Sequence, residues 1–115
     1  MKAEHMDRTA EPALADAMNR LWEKFLPQLN ERVSTLEAAA AALAEGTLTA
    51  TGREHASADA HKLAGVLGTF GLNEGSVLAR EAEGAYLVDP QTDAAVISRL
   101  AEVARKLRAI LASRK

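Results

Sequence analysis

Residues 51–71 have the sequence TGREHASADAHKLAGVLGTFG, and their apolar positions recur at the spacing of one helical face. The apolar stripe consists of Ala56, Ala60, Leu63 and Leu67. Such a stripe predicts an amphipathic helix that packs one side against a core. Thr49 or Thr51 can cap the start of this helix, and Gly71 can terminate it.

Similar stripes lie on both sides of this segment and predict three more helices. Gly46 is placed to supply a left-handed end to the preceding helix, Asn73 can cap the following one, and Asp89 and Pro90 mark the next turn. The three stripes are Leu29, Val33, Leu36, Ala40 and Leu43, then Leu78, Ala82 and Ala85, and finally Val96, Leu100, Val103, Leu107 and Leu111.

An additional short helix is predicted at the N-terminal side, with Pro12 in its first turn. Its stripe is Leu14, Met18, Leu21 and Phe25. Because proline removes a helical hydrogen bond, Pro27 predicts a break close to Leu26. Trp22 and Phe25 can then cover one end of the bundle. The predicted fold is all-α, an up-down antiparallel four-helix bundle with a short N-terminal helix that caps one end. Residues 1–10 are expected to be a disordered leader, partly a remnant of cloning.

The composition limits the classes of function. A chain of 115 residues has room for one domain, and a formal net charge of -2 gives no electrostatic footprint for nucleic acid. The sequence contains no cysteine, which excludes disulfides and thiolate chemistry. No apolar run reaches the length of a membrane span. We therefore expect a cytoplasmic domain without membrane or nucleic-acid partners, and without cofactor or metal.

The face around His61 carries few side chains. At about 100° per residue, His61 lies well off the core direction, and Gly65 and Gly68 lie on the same side. A glycine inside a helix costs roughly 1 kcal/mol relative to alanine, so a bare face needs a reason. Access of a partner to the imidazole is one reason, and histidine is a suitable nucleophile near neutral pH. Close approach of a neighbouring helix is the competing explanation for the two glycines.

The sequence resembles the histidine-containing phosphotransfer domains over most of its length, from about Leu14 onward. The matching positions are His61, Leu63, Gly65, Gly68, Gly71, Leu78, Ala79 and Glu83. The resemblance implies that residues 11–115 form such a domain in a two-component phosphorelay. It implies a carrier without autokinase activity, whose His61 accepts a phosphoryl group on its outer ring nitrogen. It also implies exchange with an aspartate in the receiver domain of a response regulator or hybrid kinase, which can be part of the same full-length protein and which supplies the metal.

The predicted site consists of His61 as acceptor, with Lys62, Ala64, Gly65 and Gly68 as docking or phosphate-supporting residues. Ala64 occupies the position where the family usually has lysine. An alternative function is therefore an inert helical interaction or dimerisation module derived from such a domain.

Other polar residues of this region have ordinary explanations. Lys62 is either a phosphate partner or a solvated side chain. Glu83 is interpreted as structural, bonding to a neighbouring helix. His55 lies on a different side of the helix from His61, so the two rings cannot share a metal.

Overall fold

Four helices account for most of the chain. The computed structural model describes residues 2–89 and 93–114, with side chains from residue 12 onward. Within these ranges it contains helices and no strand: α1 (Lys2–Glu45), α2 (Ala50–Thr69), α3 (Asn73–Leu87) and α4 (Ala94–Ser113). Helix α1 packs against α2 and α4, and α3 packs against the same two helices. This closed ring of contacts confirms the all-helical bundle.

Four of the five predicted stripes form the core, whereas in the N-terminal stripe Leu14 and Leu21 are exposed. Every stripe residue predicted for α2 is buried, and so is each one predicted in the second half of α1. In α3 and α4 only Ala85 and Val96 are partly exposed among the stripe residues, and both still pack against the core. The fully buried side chains that are largest include Leu29, Leu36, Leu63, Leu67 and Leu107. Leucine and alanine dominate this core, as expected for a chain with few aromatic residues.

Three helix ends follow the local sequence. Gly46 and Gly71 have φ values of 74° and 75°, the left-handed conformation that glycine adopts without steric cost. Thr49 caps α2, because its hydroxyl oxygen accepts a hydrogen bond from the backbone N–H of Gly52 at 3.0 Å. These local predictions are confirmed.

The start of α3 differs from the prediction. Asn73 is the first helical residue, and the cap position belongs to Leu72, which makes no side-chain cap bond. The predicted Asn73 cap is wrong, because the carbonyl of Leu72 accepts the first hydrogen bond of the helix, from the N–H of Ser76 at 3.0 Å. The cap of α4 is Asp93, whose carboxylate accepts from the N–H groups of Ala95 and Val96.

Helix α1 is continuous through both of its prolines. The predicted break near Leu26, and with it a separate N-terminal helix, is wrong, since Pro12 and Pro27 lie inside α1. Pro27 is exposed, so its ring faces solvent, while Trp22 and Leu29 on either side are buried in the core. Their burial holds the helix axis across a residue that costs about 3 kcal/mol in a helix interior.

Three of the four aromatic residues meet at one end of the bundle. Trp22 lies edge-on to Phe70 with ring centroids 5.2 Å apart, and Phe25 contacts the same ring at 6.3 Å. The guanidinium of Arg114 stacks over Trp22 at 4.8 Å. Helix α1 includes the backbone from Lys2 onward, but the side chains of residues 1–11 are not described, and the division into a leader (residues 1–10) and a domain (residues 11–115) stays a prediction. None of the helices in the described ranges has an apolar stretch that could span a lipid bilayer.

Candidate functional site

The imidazole of His61 projects from the middle of α2 into solvent. Its side chain is 74% exposed, although its neighbours Ala60 and Leu63 are fully buried. One residue of helix corresponds to about 100° of rotation, which turns His61 away from the core and toward the α3 side of α2. The ring is thus accessible to a partner molecule while its backbone is held by core packing.

One ring nitrogen of His61 is held by the neighbouring helix. Nδ1 lies 2.9 Å from Oε2 of Glu83 on α3, and the Glu83 side chain is only 30% exposed. A carboxylate can only accept hydrogen bonds, so we infer that Nδ1 carries the proton and donates it. The lone pair then resides on Nε2. This contact orients the ring and leaves a nucleophilic nitrogen on its outer edge.

Sequence reasoning did not assign Glu83 to the site. The expectation that it bonds to a neighbouring helix agrees with the structure, but its partner is the imidazole of His61. The only signal in the sequence was the presence of Glu83 among the positions of the family resemblance. The spacing within α3 gave no information about a residue on α2.

The two glycines near His61 have different surroundings. A Cβ atom at Gly65 would meet nothing within 4 Å, so this part of the surface is bare. A Cβ atom at Gly68 would lie 3.4 Å from the hydroxyl oxygen of Ser76 on α3. Gly65 thus leaves space for a partner. Gly68 also lies close to α3, which agrees with the competing explanation that a small residue allows a neighbouring helix to approach.

Ala64 is not on the exposed face where we expected it. It is 3% exposed and belongs to the core cluster. The reason is helical periodicity, because Ala64 follows the fully buried Ala60 by about one turn. Its backbone carbonyl accepts a hydrogen bond from Ser76 at 2.9 Å, so Ala64 contributes to the interface between helices.

Two other polar residues of α2, Lys62 and His55, lie on different sides of the helix from His61. Lys62 is exposed and lies about 100° around the helix from His61. His55 is also exposed but lines a groove with Thr35 and Ala38 of α1. Within the described ranges, no three side chains of the types that bind metals are grouped as a metal site.

Two buried hydroxyls attach α2 to α3. Ser57 donates to the backbone carbonyl of Glu83 at 3.1 Å, and Ser76 donates to the carbonyl of Ala64. Arg53 adds a hydrogen bond to the carbonyl of Tyr86 at 2.7 Å. The backbone of Glu83 is therefore anchored directly, and its carboxylate is presented to His61 from a fixed position.

A family model for the Hpt domain matches residues 20–113, which is most of the chain. The chain belongs to the Hpt family. Searches of curated proteins and of solved structures gave no significant match. Membership in the Hpt family implies a phosphorelay role in two-component signalling.

Hpt domains carry phosphoryl groups rather than act as kinases, and they exchange these groups with the receiver domains of response regulators. The exposed histidine and the half-buried carboxylate beside it fit that chemistry.

Proposed function

We propose that His61 is the phosphoryl acceptor of this Hpt domain and exchanges the group with an aspartate of a receiver domain. The observation that carries this proposal is the contact between Nδ1 of His61 and Glu83 at 2.9 Å on a ring that is 74% exposed. It leaves Nε2 as the free nitrogen, on the side from which a second protein can approach.

The transfer is a direct displacement at phosphorus. The Nε2 lone pair attacks the phosphorus of the aspartyl phosphate, a nitrogen–phosphorus bond forms, and the carboxylate of the receiver leaves with the electron pair of the broken oxygen–phosphorus bond. Positive charge develops on the imidazole during the attack. The carboxylate of Glu83 stabilises that charge through the Nδ1 proton, so Glu83 acts as a positioning residue. The reverse reaction uses the same groups.

The docking surface in this proposal is the exposed face of α2 around Lys62, Gly65 and Gly68. The open space at Gly65 supports it, since a receiver must bring its own backbone close to the ring. Lys62 is exposed and can contact an acidic partner from the side of this face.

The up-down antiparallel order of the helices is part of the same proposal. It is supported by contacts in which rising residue numbers on one helix meet falling numbers on its neighbour. Ser57 bonds to Glu83 and Ala64 to Ser76. On the other side, Arg108 contacts Asn30 at 2.9 Å, whereas Arg114 contacts Asn19.

The test is phosphorylation by a phosphorylated receiver or by phosphoramidate, followed by mapping of the modified residue by mass spectrometry at alkaline pH. We expect one acid-labile phosphoryl group on His61 and none on His61→Gln. The matched control is His55→Gln, because His55 is another exposed histidine of the same helix, and it should be labelled like the wild type. A label that persists on His61→Gln would contradict the proposal. A wild type that takes no label from either donor would favour the inert interaction module.

A further inference from the structure

A phosphoryl group on His61 places strong negative charge on a surface that already carries Glu83. A phosphate monoester carries about -1.5 to -2 charges at neutral pH, and the N-linked group is of similar character. Ala64 is buried and offers no charge. A cation that reaches the phosphoryl group must therefore come from another position, either Lys62 on α2 or a residue of α3, the side toward which His61 projects.

The hydrogen bonds between α2 and α3 fix which residues lie opposite each other. Ser57 is paired with Glu83, and Ala64 is paired with Ser76. His61 follows Ser57 by four residues and Ala79 precedes Glu83 by four, so His61 lies level with Ala79. Arg80 is the next residue after Ala79, and it is exposed.

Arg80 also shares the side of α3 that carries Glu83. The two residues are three apart, which places them on neighbouring turns of one helical face. Long side chains in a helix lean toward its N-terminus, and for α3 this direction leads from the level of His61 toward the level of Gly65. The space over Gly65 is open. The guanidinium of Arg80 can therefore approach the His61 ring along the α3 edge of this face, and the surface over Gly65 stays open to the receiver.

Three other arginines of the bundle already bind protein groups. Arg53 donates to backbone carbonyls of α3, Arg99 binds Glu81 and Glu102, and Arg108 binds Glu37. Arg80 makes no hydrogen bond or ion pair with any residue that the structure describes. It is thus an exposed cation without a described protein partner, on the surface of α3 about level with His61.

We propose that Arg80 is the phosphate-binding cation of phosphorylated His61. This inference rests on the proposed function, and it assigns to α3 both supports of the histidine: Glu83 on Nδ1 and Arg80 on the phosphoryl oxygens. An arginine binds two such oxygens through parallel N–H donors, which gives an orientation that a lysine does not. Arg80 then favours the phosphorylated state of this domain in its exchange with the receiver.

The experiment measures the equilibrium constant for phosphoryl exchange with a receiver, together with the pH titration of the phosphohistidine phosphorus by NMR. The variants are Arg80→Ala, Arg80→Lys and Lys62→Ala, the last because Lys62 is the competing cation of the docking surface. The control is Arg105→Ala, since Arg105 is an exposed arginine on α4, which does not pack against α2. We expect Arg80→Ala to lower the equilibrium constant for phosphorylation of this domain by the receiver by about threefold to tenfold. It should also raise the pKa of the phosphoryl group, because the cation that favours the dianion is gone.

Arg80→Lys should restore part of both effects, and Arg105→Ala should change neither. A titration and an equilibrium constant for Arg80→Ala equal to those of the wild type would overturn the assignment. The assignment would also be overturned if Lys62→Ala, and not Arg80→Ala, changed the equilibrium constant and the titration. In both cases His61 would still be labelled and the proposed function would stand, whereas a wild type that accepts no phosphoryl group would overturn both proposals together.

Discussion

The interface between α2 and α3 and the interface between α1 and α4 are built on different principles. In the α2–α3 interface, short hydroxyl side chains bind backbone carbonyls of the facing helix, as Ser76 does with Ala64. In the α1–α4 interface, the long side chain of Arg108 binds other side chains, namely those of Asn30, Ser34 and Glu37. The first arrangement fixes one backbone against another, while the second links flexible groups at the surface.

The α2–α3 interface supports the candidate site, whereas the buried core supplies most of the stability. Short side chains allow α2 and α3 to lie close together, so Glu83 reaches His61 and the surface above them stays bare. Large buried leucines, such as Leu36 of α1 and Leu107 of α4, fill the core. We therefore expect changes in the core to affect mainly unfolding, and changes at the α2–α3 surface to affect mainly phosphoryl transfer.

Leu107→Ala should have the largest effect on stability. Leu107 is fully buried, and removal of such a side chain costs about 2–5 kcal/mol. The free energy of unfolding, measured by urea denaturation with circular dichroism, should fall by this amount. The transfer rate below the unfolding transition should stay within about twofold of the wild type. A large loss of rate in the folded variant would mean that the core and the site are coupled.

Glu83→Ala should have the largest effect on transfer among variants that keep His61. Loss of the hydrogen bond to Nδ1 leaves the ring without its orientation. We expect transfer to become about tenfold slower, which corresponds to about 1.4 kcal/mol of activation free energy. Glu83→Gln should recover part of the rate, because its amide oxygen still accepts from Nδ1. Nitrogen NMR of the His61 ring should show the Nδ1–H tautomer in the wild type and a loss of that preference in Glu83→Ala. Equal rates for all three proteins would show that the contact has no role.

Gly65→Ala should stabilise the protein by up to about 1 kcal/mol, because alanine is the better helix former and nothing lies within 4 Å of the new Cβ. Thermal unfolding measures this gain. Gly65→Gln should slow transfer from a receiver while leaving phosphorylation by phosphoramidate unchanged, since only the larger donor requires the bare surface. Equal slowing with both donors would argue against a docking role for this position.

Acid should weaken the α1–α4 interface slightly. The hydrogen bond from Arg108 holds the pKa of Glu37 below its usual value of 4.5, although partial burial opposes the shift. A carboxyl whose pKa is lowered on folding contributes stability above its unfolded pKa, and this contribution is lost as the pH falls through the folded value. Glu37 is well exposed, so the loss should stay under about 1 kcal/mol.

The measurement is the difference in unfolding free energy between the wild type and Glu37→Gln at neutral pH and near pH 3. The difference should shrink at the lower pH. A difference that does not depend on pH would show that the pair contributes nothing to stability.

Several features of the fold could be predicted from the local sequence, because the interactions that form them are of short range. The cap at Thr49 and the left-handed glycines Gly46 and Gly71 involve groups within a few residues of each other. The prolines show the limit of such reasoning. Pro27 predicted a break, but burial of Trp22 and Leu29 on either side of it outweighed the local cost.

The candidate site was partly predictable. Helical periodicity was enough to place His61 and Gly65 on an exposed face, and a stricter use of it would have placed Ala64 in the core beside Ala60. The pairing of His61 with Glu83 was out of reach, because its geometry depends on how α3 is set against α2.

The sequence by itself determined the helices, their apolar faces and the exposure of one histidine, since each depends on the period of a single helix. Only the tertiary structure decided which groups from α3 stand beside that histidine. Two hydroxyl–carbonyl bonds between helices set that register, and no pattern within either helix encodes it.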